Sequence, residues 1–236
     1  PFDYARAPFR LLPDARPQQA AAEIIACFAV VAGLPQKMQE CWRAAMRAAG
    51  VPAEDALAAA GACIARDIDA GAGAGAGNAY HNRQHFCEVL LSALYLSLHA
   101  GLQPRAQAQL LLAAVVHDFH HDGRAGGPPF RLEQLALAAA QPCFDAAGVA
   151  QEDRRRVAAM VLATELSQGV PYARQCYRHF HQHGAKPQAP AADARLGPLA
   201  DDAVLALQAV LLAEADVLPS VGLSVEYGEL SQANLA

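Results

Sequence analysis

Residues 107–118 read QAQLLLAAVVHD. Eight apolar residues in that run are followed by two ionisable ones, His117 and Asp118. Apolar residues on every side mark a helix buried all round rather than one with a solvent face. A strand is disfavoured by the alanines and by the length. Two ionisable groups where such a helix runs out need a partner, because burying them alone is expensive.

Working outward, the same helical pattern recurs. Residues 79–99 place Phe86, Leu90, Leu94 and Leu98 four apart on one face, and Gly101 and Pro104 end the segment. Upstream, helices are predicted at 17–33, 35–49 and 53–69, divided by Gly33/Pro35 and Gly50/Pro52. Downstream they are predicted near 131–147, 151–166, 171–183 and 201–217, with a shorter one from Ser224. Residues 1–16 read as an irregular arm, 71–77 (GAGAGAG) as a flexible break, 119–130 as a loop and 184–200 as a Pro/Ala/Gly loop. Hydrophobic residues make up 54% of the 236, charged residues only 17%, and alanine, the best helix former, dominates. The fold class expected is all-α: a single helical domain over 1–236, with 1–70 capping a core at 78–236.

Charge narrows the partners. The formal net charge is −5 with histidines neutral, and Lys37 and Lys186 are the only lysines. A nucleic-acid groove needs many cations, so polymeric nucleic acid is not an expected partner. The most apolar run noted, 20–34, is shorter than the ~20 residues of a membrane span and contains Glu23, so no membrane partner is expected either. Cys27, Cys41, Cys63, Cys87, Cys143 and Cys176 are scattered with no CxxC pair, and read mostly as small core residues in a reducing compartment. With no signal peptide in view, the expected location is cytoplasmic. The N-terminal helices carry nothing chemical, and cap the core or form a homodimer surface.

Three places concentrate metal-ligand types. Residues 80–85 read YHNRQH, with His81 and His85 four apart and so on one helix face. His117 and Asp118 form the second. Asp216, in LLAEADV (211–217), closes another apolar helix. Each alone has a plainer reading as a coincidence or a helix-end charge. Together they make a mixed nitrogen and oxygen set suited to Zn, Mn or Fe, with a carboxylate able to bridge to Mg or Mn. A hydroxide held between two such metals is a strong nucleophile near neutral pH. His179, His181 and His183 alternate and read as a polar helix end; Arg83 reads as a solvated face and Arg154–Arg156 as an exposed charge run.

YHNRQH, then HDFHHDG (117–123), then ATELS (163–167), then AEAD (213–216) resembles the HD-domain metal phosphohydrolases, most closely the catalytic domain of class I cyclic-nucleotide phosphodiesterases and their small bacterial relatives. Tyr80, His81, Asn82 and His85 match that family's YHNxxH, and Glu88-Val89 stands for its Asp-Val. His117, Asp118, His121 and Gly123 match HDxxHxG. The resemblance implies that His85, His117, Asp118 and Asp216 ligate a tightly held Zn or Fe. Asp118 would bridge to a second metal, Mg or Mn. His121 would hydrogen-bond waters of that metal, and Glu133 and Glu165 would lie near it or orient the acid. His81 would be the general acid, forming the catalytic pair with Asp118. Some positions depart from the family: His120 stands for an acidic residue, Asp122 for a proline and Glu165 for an aspartate. The purine-clamping residues of the phosphodiesterases would fall beyond Ala236, so no substrate-binding residue is assigned. The expected substrate is a small phosphorylated molecule, with a nucleotide among the candidates. A nucleotidase of the wider HD group, a di-iron HD oxygenase and a non-catalytic metal-containing module remain as alternatives.

Overall fold

The apolar run at 107–116 is buried on all sides, as its composition requires. It lies within a helix, Pro104–Val116, that the rest of the chain surrounds. Leu110, Leu111 and Leu112 are each inaccessible to solvent, and burial of a leucine side chain stabilises by roughly 1.5–3 kcal/mol. The structure is a computed structural model that describes residues 17–71, 82–124, 127–188 and 193–233. The arm read at 1–16, most of the glycine stretch, and Tyr80 and His81 lie outside the described residues.

Among the described residues there are ten α-helices and no strand: α1 (Pro17–Ala32), α2 (Lys37–Ala48), α3 (Ala56–Asp69), α4 (Arg83–His99), α5 (Pro104–Val116), α6 (Arg131–Ala147), α7 (Gln151–Leu162), α8 (Gly169–His181), α9 (Ala203–Val217) and α10 (Val225–Ala233). The fold is all-α. A 3₁₀ segment, Ala194–Ala200, precedes α9, and a π turn, Leu218–Gly222, follows it. Helix α5 packs on α3, α4, α6, α7 and α9, while α9 packs on α4, α5, α7 and α8. One hydrophobic core runs through α1 to α9, from Ile24 to Ala215.

The first three helices pack directly onto this centre. α1 and α2 lie on α4, and α3 lies on α5 and α6. α2 and α3 approach closely because Gly61 has no side chain: a Cβ there would meet the Trp42 ring at 2.0 Å. The Trp42 indole N–H then donates to the Ala58 carbonyl at 2.9 Å.

Several expectations change. Among the described residues the longest apolar helical stretch is Ala203–Gly222, of 20 residues and mean hydropathy 1.7, rather than 20–34. Its length and composition would suit a membrane span, yet α9 packs against four helices of the bundle. Of Arg154–Arg156, only Arg155 is exposed. The Arg154 side chain bonds the Phe144 and Val149 carbonyls. Arg156 reaches Asp202 at 2.5 Å, Gln109 at 3.1 Å and Gln208 at 3.2 Å. It therefore ties α7 to α5 and α9. Four cysteines are buried and unbonded, as read, but Cys63 and Cys143 form a disulfide between α3 and α6. Their Cα atoms are 5.8 Å apart, within the ordinary bridging range. That proximity comes from α3 packing on α6, which spacing in the sequence does not report.

Candidate metal centre

Three helix ends meet beside the core. Asn82 caps α4, accepting from the backbone N–H of Gln84 at 2.9 Å and of His85 at 3.2 Å. An asparagine before the first turn satisfies N–H groups that no helical carbonyl can reach. This fixes His85 in the first turn, its side chain 3% exposed. At the other end of its own helix, α5 stops at Val116 and the chain turns, with Phe119 N–H on the Val116 carbonyl and His121 N–H on that of Asp118. His120 takes the left-handed conformation (φ 64) that completes the turn. Asp216 stands in the last turn of α9.

The side chains converge. One donor atom each from His85, His117, Asp118 and Asp216 all lie within 4.8 Å of one another. His85 Nε2 is 3.4 Å from Asp118 Oδ2 and 3.2 Å from Asp216 Oδ1. His117 Nε2 is 3.2 Å and 3.5 Å from the same two oxygens. Ligands held at about 2.0–2.1 Å around a tetrahedral metal are about 3.3–3.4 Å apart. The four separations therefore match four of the six edges of such a tetrahedron.

Orientation and charge agree with a cation. His117 Nδ1 is 2.8 Å from the Ala114 carbonyl oxygen. A carbonyl only accepts, so Nδ1 carries the proton and Nε2 of the neutral ring presents its lone pair. That Nε2 is buried and makes no hydrogen bond. Two carboxylates and the C-terminal ends of α5 and α9 all favour positive charge at this point. Without a metal, the histidines supply it. Burial alone would lower both, but Asp118 and Asp216 outweigh it, raising His85 to about 9 and His117 well above its ordinary value. Burial likewise opposes ionisation of the carboxyls, yet His117 and His85 hold Asp118 and Asp216 well below the usual range.

The other sequence candidates sit differently. His121 is buried and its Nδ1 accepts from the Gly123 N–H at 3.0 Å. Glu133 is half-buried in the first turn of α6; burial, then the like charges of Glu165 and Asp118, push its carboxyl up. Glu165 has a structural occupation. Its oxygens accept from the Ser167 hydroxyl and N–H and from the Gln168 and Gly169 N–H groups at the start of α8. Burial pushes this carboxyl up, but those bonds hold it below its ordinary value. The general-acid candidate, His81, lies outside the described residues. Arg83 is exposed and donates to the Asp69 carbonyl at 3.3 Å.

Three supports were not visible in the sequence. The Ala114 carbonyl orients His117. Asp122 binds Arg131 at 2.6 Å and 3.2 Å, and Arg131 also reaches the Arg124 carbonyl. This clamps the segment after His121 onto the start of α6. Buried Glu88, one turn beyond His85, accepts from Gln84 at 2.9 Å and from the Tyr227 hydroxyl at 2.5 Å, tying α10 to α4. The Asp-Gly pair at 122–123 gives a turn signal and Glu88 was marked by the motif resemblance, though not its partners; for the Ala114 carbonyl the sequence holds no signal.

No family model matches this sequence, and no curated protein matches it.

Proposed function

We propose that this chain is a metal-dependent phosphoric ester hydrolase of HD-domain type. In this reading His85, His117, Asp118 and Asp216 would hold a divalent transition metal, Zn or Fe, and Asp118 would also help hold a second, Mg or Mn. The observation that carries the reading is the set of four nitrogen–oxygen separations of 3.2–3.5 Å from three helix ends. Bound there, the metals supply positive charge for phosphoryl oxygens and a water acidic enough to attack near neutral pH.

The residues of the chain do the remainder. The Ala114 carbonyl fixes the His117 ring, and the Asn82 cap fixes the start of the helix that carries His85. Glu133, its carboxyl raised by burial and by neighbouring carboxylates, accepts a proton more readily than an exposed glutamate. The repulsion between Glu133, Glu165 and Asp118 is the kind a second cation relieves. His81, assigned from the YHNRQH motif, donates the proton to the leaving oxygen. The substrate class is a small phosphoester, nucleotides included.

The test uses the full chain purified without chelators. Elemental analysis should find close to one tightly held transition metal per chain. A panel of bis(4-nitrophenyl) phosphate, cyclic nucleotides and nucleoside phosphates should show turnover dependent on Mn²⁺ or Mg²⁺. If no transition metal is present and none binds on addition, the reading fails. His81→Ala should lower turnover roughly 10²–10⁴-fold at unchanged metal content; unchanged turnover removes the general-acid assignment.

A further inference from the structure

The two ends of the Cys63–Cys143 disulfide have different surroundings. Cys63, on α3, is partly exposed, and Arg66 one turn later donates to its Sγ at 3.4 Å. Cys143, on α6, is 4% exposed, and its Sγ lies 3.9 Å from Asp67 Oδ2. A guanidinium favours negative charge on a nearby sulfur, and a carboxylate opposes it. Arg66 also pairs with Asp67 at 3.4 Å, and one Asp67 oxygen lies within 4.8 Å of both sulfurs, so exposure separates the two ends most clearly and the adjacent guanidinium adds to it at Cys63. The four other cysteines are buried.

We propose that Cys63 is a thiol-exchange site that reacts with low-molecular-weight disulfides such as glutathione disulfide and passes the bond to Cys143. The Cys63 thiolate attacks one sulfur of glutathione disulfide. A Cys63–glutathione bond forms, the glutathione S–S bond breaks, and one glutathione leaves as thiolate. The Cys143 thiolate then attacks Cys63 Sγ, and the second glutathione leaves as thiolate. Two protein thiols lose two electrons and two protons; glutathione disulfide gains them to become two thiols.

The bond has a consequence for the molecule. Its 80-residue loop contains His85, His117 and Asp118, and it fixes α3 to the helix whose first turn bears Arg131 and Glu133. Oxidation therefore restrains the chain around the candidate metal centre, whatever reaction that centre performs.

The experiment reduces the full chain with dithiothreitol, removes the reductant, adds glutathione disulfide and maps the products by mass spectrometry. The wild type should regain the Cys63–Cys143 bond with no glutathione retained. Cys143→Ser should retain one glutathione on Cys63, and Cys63→Ser none on Cys143. Arg66→Met in the Cys143→Ser background should slow adduct formation roughly 3–10-fold near pH 7. The oxidised protein should melt on the order of 10 °C above the reduced one. Should either cysteine variant fail to fold, a limiting pulse of iodoacetamide on reduced wild type should label Cys63 first. Labelling of Cys143 first, adduct on Cys143 as fast as on Cys63, or failure of the pair to reoxidise overturns the proposal. So does uptake by reduced wild type of a zinc ion that both serine variants lose, which would make the pair and Asp67 a metal site.

Discussion

His85 Nε2 stands 3.2 Å from Asp216 Oδ1, so the first turn of α4 and the last turn of α9 are joined through one nitrogen–oxygen contact. α4 and α9 pack through apolar residues of the core, and at this end each also places an ionisable group. In the proposed reading a shared cation would join the two. Asp216→Asn keeps the shape and removes the charge. It should weaken transition-metal affinity by at least about 100-fold, the upper end of what loss of a mere supporting partner costs. Competition with a chromogenic chelator reads this directly. Unaltered affinity would remove Asp216 from the ligand set.

Without metal, the pH dependence has a definite sign. His85 is raised from 6.5 to about 9 in the folded chain by Asp118 and Asp216. Its stabilising contribution is full below pH 6.5 and is lost as pH rises through about 9. Asp118 and Asp216 are lowered, so their contribution is full above about pH 4 and is lost on acidification. The metal-free protein should be most stable between about pH 4 and 6.5, then lose on the order of 3 kcal/mol or more towards pH 9 and above. Metal reverses the alkaline limb, because protons no longer compete for the histidines. Urea titrations with chelator and with Zn²⁺ or Mn²⁺, from pH 5.5 to 9.5, should give slopes of opposite sign. Equal slopes would count against a metal on these histidines.

The helices were legible where breakers and periodicity are local. The α6 expected at 131–147 is observed at Arg131–Ala147, closed by Gly148 in the left-handed region (φ 65). Boundaries shifted where side chains cap. α4 begins at Arg83 rather than 79 because Asn82 takes the cap, and α7 ends at Leu162 rather than 166 because Glu165 turns back to cap α8. The clustering of His117, Asp118 and Asp216 was legible because each is ionisable at the end of an apolar helix, and the motif resemblance selected His85 from the YHNRQH histidines. Their supports were not: the Ala114 carbonyl is a backbone acceptor one turn back that no residue type advertises, and the Asp122–Arg131 clamp depends on how the segment before α6 folds. Arg154 and Arg156 were misread because long side chains can bury their stems while the guanidinium finds partners on neighbouring helices.

Gly61 tests the packing of the N-terminal helices onto the core. A methyl group there would overlap the Trp42 ring at 2.0 Å, and Trp42 is 1% exposed and bonded to Ala58. Gly61→Ala gains helix propensity of about 1 kcal/mol. Overpacking at a rigid aromatic costs typically 1–3 kcal/mol, and this overlap belongs at or above the upper end. The net expectation is a loss of roughly 1–2 kcal/mol. Trp42 is the single tryptophan, so its fluorescence reports the same region during denaturant unfolding. A more stable Gly61→Ala variant would show that α2 and α3 move apart at little cost.

Glu165 separates a structural carboxylate from a metal-binding one. Four donors at the start of α8 fill its oxygens, and Gly169 permits the close approach: a Cβ there would lie 2.3 Å from the Leu162 carbonyl oxygen. Losing such a cap costs about 0.5–2 kcal/mol. Glu165→Ala should therefore lower stability by about that amount. Affinity for the tight metal should stay unchanged, and the Mn²⁺ dependence of turnover should move less than about threefold. The opposite result, a tenfold or greater rise in the Mn²⁺ requirement with stability intact, would place this carboxylate on the second metal. The contrast is informative because Glu133 feels the charge of Glu165. Removing that charge should also let the Glu133 carboxyl fall towards its ordinary value, moving the acid limb of any pH–rate profile that Glu133 governs to lower pH.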